Sequence, residues 1–213
     1  MKKRACENLA KALLPYLPGY TYEKKPNAIC RLPVGNVFQG VIFDSSGFSA
    51  IAFYPEVFAQ PLYVPSKSFR LTFGKRLLGD WQYEEGKEES LATSLIRSME
   101  NEGALKLLDD LSTPEKLVHN LGKYHSNPND PYLRQAISYS FAVCGQFDEA
   151  IHWLDKCRTT LADMQRRDPD IKWPGAFLDE ITKFRELVAS DPEAAQKQLD
   201  EWTEYTRSCL CLP

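Results

Sequence analysis

The spacing of apolar residues changes twice along the 213-residue chain, from helical to strand-like and back to helical. Near the start, Glu7, Asn8 and Lys11 interrupt any continuous apolar segment, so we expect an amphipathic first helix and not an export signal. The apolar residues of this segment share one helical face: Cys6, Leu9, Ala10, Leu13, Leu14 and Leu17.

Six runs rich in aromatic and β-branched residues follow and predict β-strands. The connections between them are too short for crossover helices, so we expect an antiparallel, meandering sheet of five or six strands. Asp44-Ser45-Ser46-Gly47 separates two apolar runs and predicts a hairpin turn. The predicted strands are residues 20–24, 28–32, 37–44, 48–54, 57–64 and 69–73.

These predicted strands differ in how they should be buried. Residues 48–54 are apolar on both sides, which indicates a central strand covered on both faces. Pro55, Pro61 and Pro65 cannot donate a backbone hydrogen bond, so the segment between them is predicted to be an edge or bulged element. Every second residue of 69–73 is large and apolar, with Arg70 and Thr72 between them, which predicts a half-buried strand.

From Trp81 onward the spacing is helical, and three helix starts carry the same signal. Thr113-Pro114, Asp130-Pro131 and Asp191-Pro192 each place proline at the first helical position, after a capping residue. Residues 132–144 are apolar nearly all round, which predicts a helix in the middle of the helical layer. Other apolar stripes predict one helix that breaks near Gly103 and two outer helices: Leu91, Leu95, Ile96 and Met99; Phe177, Ile181, Phe184 and Val188; Ala195, Leu199, Trp202 and Tyr205.

The chain is therefore predicted to be an α+β protein, with an N-terminal helix, an antiparallel meandering sheet and an all-helical C-terminal part. The charged turn at residues 84–89 is the predicted boundary. It separates a helix-and-sheet region at residues 1–83 from a helical region at residues 84–213, and the two regions could still pack as one domain.

Charge is unevenly distributed, although the net charge is only −3. Residues 1–80 hold 11 basic and 5 acidic residues, whereas residues 81–213 hold 15 basic and 24 acidic residues. Two interpretations stay open: the two parts attract each other across an interface, or a basic face meets an acidic partner. The overall acidity argues against a general nucleic-acid binder.

The six cysteines are scattered, and most occupy apolar periodic positions, where a free thiol acts as a small hydrophobic group. A chain of this length has its own core and needs no disulfide framework, which favours reduced thiols and a cytoplasmic location. The longest apolar runs are far too short to cross a bilayer, so we expect no membrane association.

No segment combines the residues that catalysis, metal binding or phosphate binding requires. Gly74-Lys75 lacks the upstream glycine of a phosphate loop. His119 and His125 lie six residues apart, on different sides of a helix, and Cys209-x-Cys211 supplies half a zinc site at most. We therefore predict no catalytic residue, no metal ligand and no cofactor.

Two parts of the chain resemble known sequence patterns. Residues 131–162 are similar to one tetratricopeptide helical hairpin, although Arg134 replaces its first large apolar residue. This resemblance implies a peptide- or protein-binding groove, and the alternative is an ordinary antiparallel helix pair. Residues 60–65 and 71–77 resemble bacterial proteins without an assigned activity, which implies a bacterial origin. The positions that match the hairpin are Ser138, Phe141, Gly145, Phe147, Ala150 and Leu154.

We expect a protein-interaction module, of which an inhibitor or immunity-type protein is one form. Its partner would be another protein or a second copy of the chain, joined along an edge near residues 55–65. The alternative is an enzyme or small-ligand-binding protein with a site between sheet and helices. Predicted ligand or partner contacts are Arg70, Lys75, Arg76, His119, Trp81 and Trp153, with Tyr83 and Tyr139 as further exposed anchors.

Overall fold

The computed structural model describes residues 2–45, 47, 49, 51–71 and 73–212. The chain groups into two compact units. Unit 1 covers residues 1–60, 68–112 and 207–213, and unit 2 covers residues 61–67 and 113–206. The domain boundary predicted after residue 83 falls inside unit 1 and stays a prediction. The helices and the antiparallel sheet confirm the predicted α+β class.

Unit 1 contains the predicted antiparallel sheet, with six strands. Their bounds are Tyr20–Glu23 (β1), Ala28–Arg31 (β2), Val37–Ser45 (β3), Ala52–Pro61 (β4), Gly74–Arg76 (β5) and Trp81–Gln82 (β6). The strands follow the order β1-β2-β3-β4-β5, and β6 also pairs with β4. The predicted hairpin turn at residues 44–47 includes Ser46, which lies outside the described residues, as do Phe48 and Ala50.

The strands predicted at residues 48–54 and 57–64 form one strand, β4. The edge position predicted for the segment between Pro55 and Pro65 is wrong over residues 55–61, and the bulge that was its alternative stays a prediction. β4 pairs with β3 along one side and with β5 and β6 along the other. A strand residue directs its N and its C=O to the same side of the strand. Pro55 therefore points its nitrogen, which carries no hydrogen, toward the gap between β5 and β6, and the proline is tolerated there. Its carbonyl accepts a hydrogen bond from the Leu77 N–H at 2.9 Å, in the gap between β5 and β6.

The strand predicted at residues 69–73 is also wrong, although Thr72 lies outside the described residues. The buried Gln60 side chain replaces a strand partner here: its Oε1 accepts from the Arg70 N–H at 3.0 Å, and its Nε2 donates to the Ser68 carbonyl at 3.4 Å. The Phe69 ring packs against Phe58, with 4.5 Å between ring centroids. Strand pairing begins only where the Ala59 N–H donates to the Phe73 carbonyl.

Three helices complete unit 1: α1 (Lys3–Leu13), α2 (Glu88–Asn101) and α3 (Ala104–Asp110). A short 3-10 turn follows α1 over Leu14–Tyr16. Five of the six residues predicted for the apolar face of the first helix are buried, Leu14 is half-buried in the 3-10 turn, and α1 packs against α2. Gly103 ends the second helix as predicted, because its left-handed backbone (φ 71°) is a conformation that favours glycine.

Unit 2 is helical: α4 (Pro114–Tyr124), α5 (Pro131–Val143), α6 (Phe147–Arg167), α7 (Trp173–Ser190) and α8 (Pro192–Cys209), the last continuing beyond residue 206 into unit 1. All three proline helix starts are confirmed. The side chains of Thr113, Asp130 and Asp191 accept from backbone N–H groups of the first turns at 3.3, 2.8 and 3.0 Å. These contacts satisfy donors that a helix start otherwise leaves without a partner.

α5 lies in the middle of the helical layer, as its apolar composition predicts, because it packs against both α4 and α6. Its polar residues are also satisfied. Ser140 shares a 2.5 Å hydrogen bond with the hydroxyl of the fully buried Tyr63, and burial raises the pKa of that tyrosine. α6 packs in turn against α7, so α4 to α7 form a consecutive series of helix pairs.

Candidate functional site

Lys75 and Arg76, the two basic residues of β5, direct their side chains to opposite faces because strand side chains alternate. The Lys75 Nζ donates to the backbone carbonyl of Glu102 at 2.5 Å and lies 3.8 Å from the Glu102 carboxylate. That carboxylate also accepts from the Leu78 N–H at 3.1 Å and from the Ser98 hydroxyl at 2.6 Å. Lys75 thus connects β5 to the end of α2.

Arg76, on β5, contacts side chains of the two preceding strands, β3 and β4. It lies directly opposite Glu56 in the sheet, with 3.5 Å between its Nε and the Glu56 Oε2. Its guanidinium also lies 3.4 Å from Asp44 and 4.8 Å from the centre of the Tyr54 ring. Burial raises the pKa of Glu56, and the Arg76 charge opposes that rise. We call these four side chains the Arg76 network, and each of its charges has a partner within the protein.

Two other predicted contact residues of unit 1 lie on its surface. Arg70 is exposed in the loop after β4, where Gln60 holds its backbone. Trp81 is half-buried in β6, and its indole N–H donates to the Leu78 carbonyl at 3.1 Å. Tyr83 is half-buried as well, and its hydroxyl donates to Glu88 at 2.5 Å. These aromatic groups use their polar atoms within unit 1.

The remaining predicted contacts belong to unit 2 and are spread over two helices. His119 is exposed on α4. Trp153 is half-buried on α6, with the Lys156 ammonium 4.3 Å above its ring. The structure therefore places the six predicted contact residues in separate local environments, and only Lys75 and Arg76 are chain neighbours.

Tyr139 is wrong as an exposed anchor, because it is 0% exposed in the middle of α5. Its ring stacks on Trp202 at 5.3 Å and contacts Phe184 at 4.5 Å, and we call these three residues the inner cluster. Its hydroxyl donates to Glu180 at 3.5 Å. Burial raises the pKa of Tyr139, and the Glu180 charge raises it further. Its residue type favours an interface anchor, but its position on α5, which packs against other helices on several sides, buries it.

A second aromatic cluster lies one heptad away on α5 and α7, two of the three helices that form the inner cluster. Tyr132 stacks on Trp173 at 5.9 Å and on Phe177 at 5.1 Å, and we call these three residues the outer cluster. Tyr132 and Trp173 are each 41% exposed, as is the neighbouring Ile171, while Phe177 is buried. Large side chains of this kind are usually buried or occur singly on a surface. The stacked and exposed rings of Tyr132 and Trp173 therefore form a candidate docking surface.

The local sequence fixes both exposed rings on rigid backbone. Tyr132 follows Pro131 in the first turn of α5, and Trp173 begins α7 with Pro174 after it. The apolar stripe of α7 that is predicted from Phe177 onward extends one turn upstream to Trp173. Trp173 is the sequence signal for the outer cluster, because it precedes Phe177 by four residues and i and i+4 residues share a helix face.

The two units differ less in net charge than residues 1–80 and 81–213 do. Unit 1 holds 14 basic and 13 acidic residues, and unit 2 holds 12 basic and 16 acidic residues. The difference shrinks because the acidic segment before and within α2 groups with the basic strands. Unit 2 keeps a net charge of −4 and is the acidic part of the molecule.

Within the described residues, no three His, Cys, Asp or Glu side chains are arranged to hold a metal ion. The same residues include no buried side-chain nitrogen or oxygen without a hydrogen-bond partner. An open groove of about 430 Å³ lies beside α2, but the Glu102 carboxylate that lines it is already bonded to Leu78 and Ser98. Among the described helices, none combines the length and apolar composition needed to cross a bilayer.

Comparisons with protein-family models, with curated proteins and with solved structures found no match for this chain. The outer cluster and the Arg76 network are therefore interpreted from their own geometry.

Proposed function

We propose that the protein is a protein-interaction module and that the outer cluster anchors its partner protein. The observation that carries this proposal is the pair of stacked rings of Tyr132 and Trp173, each of which is 41% exposed. Two turns further along, α5 and α7 form the buried inner cluster together with Trp202 of α8. The outer cluster thus has the composition of a core and the exposure of a surface.

A partner protein would gain binding energy by covering these rings. Tyrosine and tryptophan are the residues that most often dominate binding energy at protein interfaces, because they bury a large apolar area and keep a polar atom for hydrogen bonding. Each apolar Å² removed from water contributes about 25 cal/mol. Covering one exposed ring is therefore a substantial gain.

The outer cluster is also preorganised. Stacking and the adjacent prolines restrict Tyr132 and Trp173 before binding, so a partner loses little side-chain entropy when it contacts them. The Arg76 network shows the opposite arrangement, since its charged groups already contact one another. A partner would have to break those contacts, which makes unit 2 the better supported docking unit.

The first experiment is affinity capture from cells of the source organism, followed by light scattering of the purified protein. The wild type should recover one partner in stoichiometric amounts, and Tyr132→Ala/Trp173→Ala should lose it. Tyr16→Ala is the matched control, since Tyr16 is 44% exposed on unit 1, outside the cluster. A dimer that dissociates in the double variant would identify a second copy as the partner.

Capture of nothing by a monomeric wild type would refute the proposal, and so would equal capture by all three proteins. An inhibitor or immunity-type module is one form of the same proposal. In that case the partner's own activity should fall when the wild type is added and should be unaffected by the double variant.

A further inference from the structure

A second open surface lies at the opposite end of α5, where the chain turns into α6. It is a groove of about 610 Å³ within unit 2, all of whose residues the structure describes. We call it the turn groove. Its lining residues are Gly145, Gln146, Phe147, Asp148, Glu149, Ile151, Val188, Ala189 and Pro192.

The backbone creates this groove by ending α5 and starting α6 within three residues. Gly145 adopts a left-handed conformation (φ 72°), and the Gln146 N–H reaches back to the Phe141 carbonyl at 2.9 Å, which closes α5. Phe147 and Ile151 then lie one turn apart on the same face of α6. Their half-buried side chains form the apolar floor together with Val188.

The charges at the turn groove have one sign. Asp148 and Glu149 line it, and no basic residue does. Asp191 and Glu193 are exposed on either side of Pro192. The two lining acids also complement the dipole of α6, because they lie in its first turn. The turn groove thus combines an apolar floor with an acidic rim.

We propose that the turn groove binds a basic segment of a partner protein, with an aliphatic side chain on the apolar floor and lysine or arginine residues beside Asp148 and Glu149. The net charge of −4 on unit 2 favours the same occupant through long-range attraction. This inference rests on the proposed function and adds a second contact surface to it. Trp173 and Ala189 are about 24 Å apart by helical rise along α7, so the two surfaces can be tested separately.

The test is a fluorescence-anisotropy titration with a labelled twelve-residue peptide of leucine, lysine and glycine. A control peptide has glutamate in place of each lysine. We expect the basic peptide to bind and Asp148→Asn/Glu149→Gln to weaken it about threefold to tenfold, with a shallower dependence on salt. Ala189→Arg, which places a cation in the groove, should weaken it more than tenfold.

Asp200→Asn/Glu201→Gln is the matched control, because it removes the same charge from an exposed part of α8 outside the groove. Its affinity should stay within about twofold of the wild type. Equal loss in the two double variants would show general attraction to an acidic protein and overturn the inference. Equal binding of the acidic peptide would overturn it too.

Tyr132→Ala/Trp173→Ala should bind the basic peptide as the wild type does. If partner capture fails in this variant but peptide binding at the turn groove is absent in every protein, the inference is wrong and the proposed function stands. If the peptide binds with the expected variant pattern but no partner is captured, the proposed function is wrong and the groove is a peptide site by itself.

Discussion

The inner and outer clusters share α5, α7 and the same three residue types, yet their tyrosines differ in exposure. Tyr132 and Tyr139 lie seven residues apart on α5, and Phe177 and Phe184 lie seven residues apart on α7. In both clusters the tyrosine stacks nearly parallel to a tryptophan, at 15° and 14° between ring planes. The outer tyrosine is 41% exposed and the inner one is 0% exposed.

The difference lies in the source of the third ring. In the inner cluster, Trp202 comes from α8 and covers Tyr139. In the outer cluster, Trp173 comes from the start of α7 and is itself exposed. The buried inner cluster contributes to the stability of the fold. The exposed outer cluster would contribute instead to the stability of a complex with a partner protein. The same substitution should therefore cost the fold much more in the inner cluster than in the outer cluster.

The largest expected effect is on folding. Tyr139→Ala should lower the free energy of unfolding by about 3–5 kcal/mol, because it leaves a large cavity in a packed core. Tyr132→Ala, the matched change in the outer cluster, should lower it by no more than about 1 kcal/mol. Urea unfolding followed by circular dichroism measures both. Similar losses for the two variants would mean that the outer cluster belongs to the core, and the comparison would fail.

An intermediate effect separates the hydroxyl groups of buried and exposed tyrosines. Tyr63→Phe should cost about 1 kcal/mol, because it removes the hydrogen bond to the buried Ser140. Tyr132→Phe should change the unfolding free energy by less than about 0.5 kcal/mol, because its surface position allows water to hydrate the hydroxyl group. The same urea titration gives both values. A cost at Tyr132 equal to that at Tyr63 would contradict this distinction.

The smallest effect concerns the Arg76 network, which is satisfied internally like the inner cluster. Burial raises the pKa of Glu56 above its ordinary value of 4.5, and Arg76 offsets only part of that rise. The folded protein thus holds this proton more tightly than the unfolded chain. The resulting stability is fully present below about pH 4.5 and is lost as pH rises through the folded pKa.

Glu56→Gln cannot ionise and should escape this loss. Its unfolding free energy relative to the wild type should therefore increase between pH 4 and pH 7. Urea unfolding at a series of pH values measures the difference. A difference that stays constant over this range would show that Arg76 offsets burial completely, and one that moves in favour of the wild type would show that Arg76 outweighs burial. Either result would contradict the prediction.

Local signals made much of unit 2 predictable. Capping residues followed by proline act within one helical turn, so Thr113, Asp130 and Asp191 identified three helix starts without any tertiary information. The sheet was harder. Gln60 holds the backbone of a loop ten residues away, and Pro55 faces a gap between two short strands. Both corrections depend on contacts between segments, which a period of two along the chain does not reveal.

The candidate site was missed for a related reason. Residue type alone favoured Tyr139 and Trp153 as anchors, but exposure depends on which end of an apolar stripe has a cover. The sequence shows that α5 and α7 carry apolar stripes. It does not show that α8 covers the rings of the inner cluster and leaves those of the outer cluster exposed. The sequence also does not reveal that Lys75 and Arg76 contact groups on other strands and at the end of α2.

The most direct test of the central claim is the affinity of the captured partner for Trp173→Ala. The claim is that the outer cluster is exposed for binding. It predicts a dissociation constant at least about thirtyfold higher than that of the wild type, a loss of about 2 kcal/mol, while Tyr16→Ala stays within about threefold. An unchanged dissociation constant for Trp173→Ala, or an equal loss for Tyr16→Ala, would contradict it.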